Sequence, residues 1–339
     1  MQKLLSLVSL AALLPLSACA GHPALPSTNS VVAARSSAKP DKRGVVTIYP
    51  DTFGDATPAG IVAGPDGALW FTDPGNDVIG RITTDGTYTL QQTTGTEIDP
   101  GITVGPGNDL WFTQELQEGG IGRITTSGKV TLYKDPGGSY TQEITTAADG
   151  TLWFTEINGT VGHRLKNGKI QRFTVGASNA ALEGIVQGPD KNLWIAESGL
   201  GSHYSNHVYR LTKRGKVTKY TVGAGPQSIC VGPDGALWFT EEFAGAIGRL
   251  TTAGKLTEYT LPSPEVDAYA IATGPDGALW FTGATDTGYI GRITTSGKFA
   301  FYNVGSESRS LSGIAAGPDG AMWFASAQSP SAIGRITVR

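Results

Sequence analysis

Acidic side chains at two neighbouring points of the chain are the first sign of chemistry. Glu143 lies directly before Ile144, and Glu183 lies two residues before Ile185, while Glu156 and Glu197 follow Trp153 and Trp194 by three residues. Like charges brought close together raise a carboxyl pKa or recruit a cation, and oxygen ligands of this type suit calcium or magnesium. For Glu156 and Glu197 a plainer role competes, that of partners to scaffold arginines, and for those two it is the better reading. A second group, His203, Tyr204 and His207, lies in SGLGSHYSNH (Ser198 to His207). His-x-x-x-His holds a metal only where the backbone brings both rings together, and no helix is expected here to do so. A polar loop that contacts ligand or solvent is the competing reading. Cys230, between Ile229 and Val231, reads as a small buried hydrophobe rather than a nucleophile.

These residues are positioned by a repeat. Seven tryptophans (Trp70, Trp111, Trp153, Trp194, Trp238, Trp280 and Trp323) recur with steps of 41, 42, 41, 44, 42 and 43 residues. Each sits in nearly the same phrase, as in GIVAGPDGALWFTD (Gly60 to Asp73) or AIGRLTTAGKLTEY (Ala246 to Tyr259). A period in the low forties without a helical stretch is the signature of propeller blades. Pro-Asp-Gly and Ser-Gly supply the turn angles of short hairpins, so each unit is a four-stranded antiparallel meander. In ALWF the alternation turns Leu69 and Phe71 to one face and Trp70 to the other, and a sheet apolar on both faces must be sandwiched between neighbours. The seventh copy stops before its fourth strand, whose pattern appears instead in VVTIYP (Val45 to Pro50). The expected fold is therefore an all-β, seven-bladed propeller over residues 44–339, its last blade closed by the N-terminal strand.

Repetition also separates scaffold from site, because a function performed once cannot explain a residue present seven times. The arginine of IGRI (Arg81, Arg123, Arg210, Arg249, Arg292, Arg335) is scaffold by this test, with expected partners Asp73, Glu156, Glu197 or Glu241. In the third copy His163 stands in its place as a tolerated substitution. The uniform turns lie at one end of the ring and the variable connections at the other, and binding residues concentrate on variable loops. The channel mouth at that end should be lined by Ala59-Gly60, Pro100-Gly101, Gln142-Glu143, Glu183-Gly184, Gln227-Ser228, Tyr269-Ala270 and Ser312-Gly313.

The N-terminus lies outside this fold. Lys3, the apolar run Leu4 to Leu14 and Leu16-Ser17-Ala18-Cys19 read as a signal peptide over 1–18 with a bacterial lipobox. Cleavage before Cys19 and acylation of its thiol would tether the chain to the cell envelope, at the outer membrane or in the periplasm. Residues 19–43, rich in Ser, Ala and Pro and without aromatics, are the expected disordered tether. A formal charge of −3 with no basic run in the folded part argues against nucleic acid, and a monomer is expected.

The repeated phrase resembles the streptogramin B, or virginiamycin B, lyase family over Val45 to Arg339. The resemblance implies seven-bladed propellers that open a cyclic depsipeptide antibiotic by magnesium-dependent elimination. It also implies a base histidine in a Glu-Pro-His-Gly-Ile segment before a first strand, and a metal-holding glutamate after the tryptophan of that blade. Here the histidine slots hold Ala59, Pro100, Gln142, Glu183, Gln227, Tyr269 and Ser312. Blade six comes nearest, with Asp267 in the glutamate slot, Tyr269 in the histidine slot, Ala284 in the second glutamate slot and Asp286 two residues on. A tyrosine near its usual pKa of about 10 is a poor base at neutral pH. Glu115 and Glu242 fall four residues after a tryptophan in blades lacking the rest of the motif. The expected function is binding of a small molecule, glycan or peptide at the mouth by Gln142, Glu143, Glu183, Gln227, Tyr269, His203, Tyr204 and His207. The alternative is a carbon–oxygen lyase with Asp267, Tyr269 and Asp286 as its candidate catalytic groups.

Overall fold

The computed structural model describes residues 44–50, 56–92, 97–114, 119–200, 203–262, 267–284, 288–305, 310–327 and 331–338. The signal peptide, Cys19, the tether, Glu115 and Asp286 lie outside them. Among the described residues there are seven antiparallel sheets of four strands each, and together they form a seven-bladed β-propeller. Each blade is a meander because its turns force one. In the first hairpin of blade five the Gly232 amide donates to Ala236 O at 2.8 Å, with Gly235 at φ 72°, a left-handed angle that costs glycine little. No described helix is long and apolar enough to cross a membrane.

The two apolar faces of each blade are buried as the alternation of ALWF requires. Trp70 packs into one cluster with Leu110 and Phe112 of the next blade, while Leu69 and Phe71 pack with Trp323 of the preceding one. The phenylalanine lies flat over the glycine of IGRI: a Cβ on Gly248 would come within 2.1 Å of the Phe239 ring. Blade four departs from this pattern, with Ile195 in the phenylalanine position facing Tyr209 in the glycine position, and the Tyr209 hydroxyl donates to Glu197.

Ring closure is as expected. Gly44–Pro50 pairs antiparallel with the final strand, from Gly44 opposite Val338 to Pro50 opposite Ala332. Tyr49 stacks on Trp323 at 5.6 Å. The Tyr88 hydroxyl of blade one donates to Tyr49 O at 2.5 Å and accepts from Ile333 N at 3.1 Å, joining the two ends of the chain through a third strand.

The repeated arginines are scaffold, but their partners differ from expectation. Arg81 reaches Asp66 of the GPDG turn at 2.8 Å, and Arg249, Arg292 and Arg335 reach Asp234, Asp276 and Asp319 in the same way. The same aspartate accepts the tryptophan indole N–H, at 3.0 Å for Asp234 and Trp238, and the guanidinium lies over the ring. Burial pushes the Asp234 carboxyl up, yet these bonds hold it below the ordinary range. Asp73, Glu156, Glu197 and Glu241 are too far down the strand for this and find other donors. Glu156, for instance, takes Ser139 N and Arg172 Nε. His163 stacks on Trp153 at 3.6 Å, and burial lowers its pKa, so a neutral ring replaces the cation. Its counterpart Asp149 turns to Lys213 of the next blade.

Candidate functional site

The channel-mouth residues owe their direction to β-bulges. In six of the seven first strands the register slips just before the isoleucine, for example between Thr141 and Ile144, Leu182 and Ile185, and Ala268 and Ile271. An extra residue on one strand re-aims the side chains beside it. The bulges are chained together by the threonine of WFT. Thr155 Oγ1 accepts from Glu143 N at 3.0 Å in its own blade and donates to Glu183 O of the next at 2.7 Å. Thr72, Thr113, Thr240 and Thr282 do the same toward Pro100, Gln142, Tyr269 and Ser312. Blades four and seven carry Ala196 and Ala325 instead, and at the second of these seams Ser312 Oγ donates to Pro58 O at 2.7 Å.

Four blades bring Glu143, Glu183, Gln227 and Tyr269 to one side of the mouth, joined by Glu242 and Asp267. Burial first, then the charge of Glu183, pushes Glu143 up to about 7. Glu183 is also pushed up by burial, against a hydrogen bond from Ser198 Oγ at 3.0 Å. Glu242, which accepts from the Gln227 amide, rises to about 7 through burial and the charges of Asp267 and Glu183. Tyr269 is 40% exposed, yet burial and the charges of Glu183, Glu242 and Glu143 raise its hydroxyl well above the phenol range. These facts fit a concave mouth, in which groups touch water while protein surrounds them. Near neutral pH such a cluster shares protons and attracts positive charge.

The remaining candidates are distributed differently. Ser198 to Leu200 and His203 to His207 of this stretch extend a hairpin, Leu193–Leu200 with His203–Leu211, in which Leu200 pairs with His203 and Glu197 with His207. Four residues along a strand set the backbones of the two histidines about 13 Å apart. His207 Nδ1 meets Ser205 Oγ at 3.0 Å, and burial keeps its pKa low. Tyr204 is exposed. Glu197 is buried and takes the Tyr209 hydroxyl at 2.5 Å, so it serves the scaffold through a tyrosine and not through the repeated arginine expected above. Cys230 packs in the core with its thiol pushed up to about 12. Sequence reasoning noted Glu242 only as an acid in a blade lacking the rest of the motif, and passed over its neighbour Phe243. The signal was present, since EEFAGA in blade five departs from the repeat by a second acid and an exposed aromatic.

A resident divalent ion does not fit these residues. Among the described residues no three His, Cys, Asp or Glu side chains are grouped to hold a metal. Glu143 and Glu183 alone supply fewer than the six to eight oxygens that calcium takes.

Comparison with known proteins agrees with this architecture. The model of the virginiamycin B lyase family matches residues 29–202 and 200–339. Virginiamycin B lyase from Nocardia farcinica (strain IFM 10152) is 32% identical over 121 residues, 33% of this chain and 38% of that protein, so the match spans well under half of the relative. The crystal structure of virginiamycin B lyase from Staphylococcus aureus superposes with a TM-score of 0.77 at 30% identity, over 87% of this chain and all of that one. A catalytically inactive histidine-to-alanine variant of the staphylococcal lyase, with quinupristin, superposes equally well (TM-score 0.77, 30% identity, the same coverage). The chain belongs to the virginiamycin B lyase family.

Proposed function

We propose that the protein is a ligand-binding propeller of the cell envelope, anchored through Cys19, that holds a small molecule, glycan or peptide over its channel mouth. The observation that carries this reading is a missing base beside an assembled polar cluster. The family histidine is replaced in all seven slots, while Glu143, Glu183, Glu242, Gln227 and Tyr269 gather at one side of the mouth. In the staphylococcal relative a histidine-to-alanine change leaves a catalytically inactive enzyme with quinupristin, so binding and turnover separate in this family. Tyr269 does not substitute as a base, because its surroundings disfavour the phenolate.

Family membership favours a second reading, a carbon–oxygen lyase acting on a cyclic ester-containing peptide with Asp267 and Tyr269 in reach of substrate. Incubation with quinupristin and magnesium, followed by mass spectrometry, separates the two. No ring opening is expected. Turnover that Glu183→Gln or Tyr269→Phe abolishes would establish the lyase instead. The anchor is tested by Cys19→Ser, which should move the protein from the membrane to the soluble fraction.

A further inference from the structure

Four large apolar residues are exposed among the described residues, Val45, Tyr204, Phe243 and Tyr269, and three of them belong to the mouth side of blades four to six. Tyr204 and Phe243 are 57% and 47% exposed, and their ring centroids stand 3.8 Å apart. The pair is built rather than incidental. Gly225 N donates to Ser205 O at 2.7 Å, and Glu242 N donates to Gly225 O at 3.0 Å, so the blade-four hairpin and the blade-five loop are locked together beneath the rings. Gly225 is required for this fit: its φ is 69°, and a Cβ there would lie 2.3 Å from the Phe243 ring.

Glu242 is the residue before Phe243, and its charge acts together with those of Glu183 and Glu143 on Tyr269. No lysine, arginine or histidine of the described chain forms an ion pair with Glu143, Glu183 or Glu242. The mouth therefore presents carboxyl groups without a cationic partner beside two exposed aromatic rings. Aromatic faces attract organic cations, and a one-signed concave surface concentrates the opposite charge.

We propose that the Tyr204–Phe243 ledge and the adjoining carboxylates form a subsite for an organic cation, a small molecule carrying an alkylammonium group on an apolar frame. The inference rests on the mouth-binding reading above and specifies the ligand class. The apolar frame lies on the rings and the ammonium faces Glu242 and Glu183.

Three probes that share one ring and differ in charge test it: benzyltrimethylammonium, benzyl alcohol and phenylacetate, titrated by NMR against the folded domain. Benzyltrimethylammonium should bind at least about tenfold more tightly than the other two. The Tyr204→Ala/Phe243→Ala variant should weaken it by about tenfold, as should Glu183→Gln/Glu242→Gln, in the range for a cation on an aromatic or a charge partner. Unchanged thermal midpoints would show that these variants fold. Equal binding of all three probes, weakened by the same variants, would overturn the cation assignment and leave mouth binding in place. Ammonium binding that survives both variants, or no ammonium binding, would overturn the subsite. A sedimentation mass that doubles in the parent and returns to monomer in the Tyr204→Ala/Phe243→Ala variant would make a second copy the occupant, and would overturn it as well.

Discussion

At the scale of the residue, the mouth and the blade seams hold carboxyl groups at an energetic cost. Glu241 is fully buried, accepts Gly223 N at 2.8 Å through one oxygen and leaves the other without a partner. Burial first, then the charge of Glu258, raises it to about 8 from an ordinary 4.5. Because the native state binds this proton more tightly, the associated stability is full below about pH 4.5 and is lost as pH rises to about 8. The loss is at most about 5 kcal/mol for so buried a group. Glu241→Gln keeps the acceptor and cannot ionise. Urea denaturation should therefore find it more stable than the parent at pH 9 and nearly equal to it at pH 4. Glu241 was legible in the sequence only as a repeated acid. Its lack of a cation was not, because arginine reach depends on where the GPDG turn places its aspartate.

At the scale of the element, the blade works through interlocking sizes. The IGRI glycine leaves room for the phenylalanine ring of the neighbouring strand, and in blade four, where Tyr209 takes the glycine position, the phenylalanine gives way to Ile195. Gly248→Ala should destabilise by about 1–3 kcal/mol, the usual cost of overpacking, read as a fall in the urea midpoint. Addition of Phe239→Leu should recover part of the loss, whereas two independent lesions would sum. The glycine, the phenylalanine and the threonine of WFT were all visible as repeats. Only the folded blade explains the threonine, which links a bulge in its own sheet to a carbonyl in the next. The Ser198 to His207 stretch was misjudged as a loop because Gly, Ser and Asn are poor strand formers. The register with Leu193–Leu200 overrides that preference by adding two more paired rows.

At the scale of the whole molecule, stability depends on closure. Gly44–Pro50 supplies seven register positions to the last blade, and Tyr88 ties that seam to blade one. Deletion of 44–50 would leave Trp323 without the Tyr49 ring and expose an edge strand on a sheet whose neighbours depend on it. Calorimetry should show a lower midpoint and a broadened transition, while a cut in a blade turn, which leaves the seam intact, should lower it less. A sharp, unshifted transition would mean that the seven-bladed circle of contacts is not what makes unfolding cooperative.

The sequence by itself determined the number of blades, the residues that alternate between their faces, and the strand that closes the ring. These follow from local rules, period and turn chemistry, which act over a few residues and repeat seven times. The repeat also placed Glu143 and Glu183 at the mouth, whereas tertiary structure alone decided that Glu242 and Asp267 join them. Glu143, Glu183, Glu242 and Tyr269 come from four blades and as much as 126 residues apart, from Glu143 to Tyr269, and bulges and seams bring them to one mouth. Their charges act through space, so the raised pKa values that result belong to the assembled ring and to no single repeat.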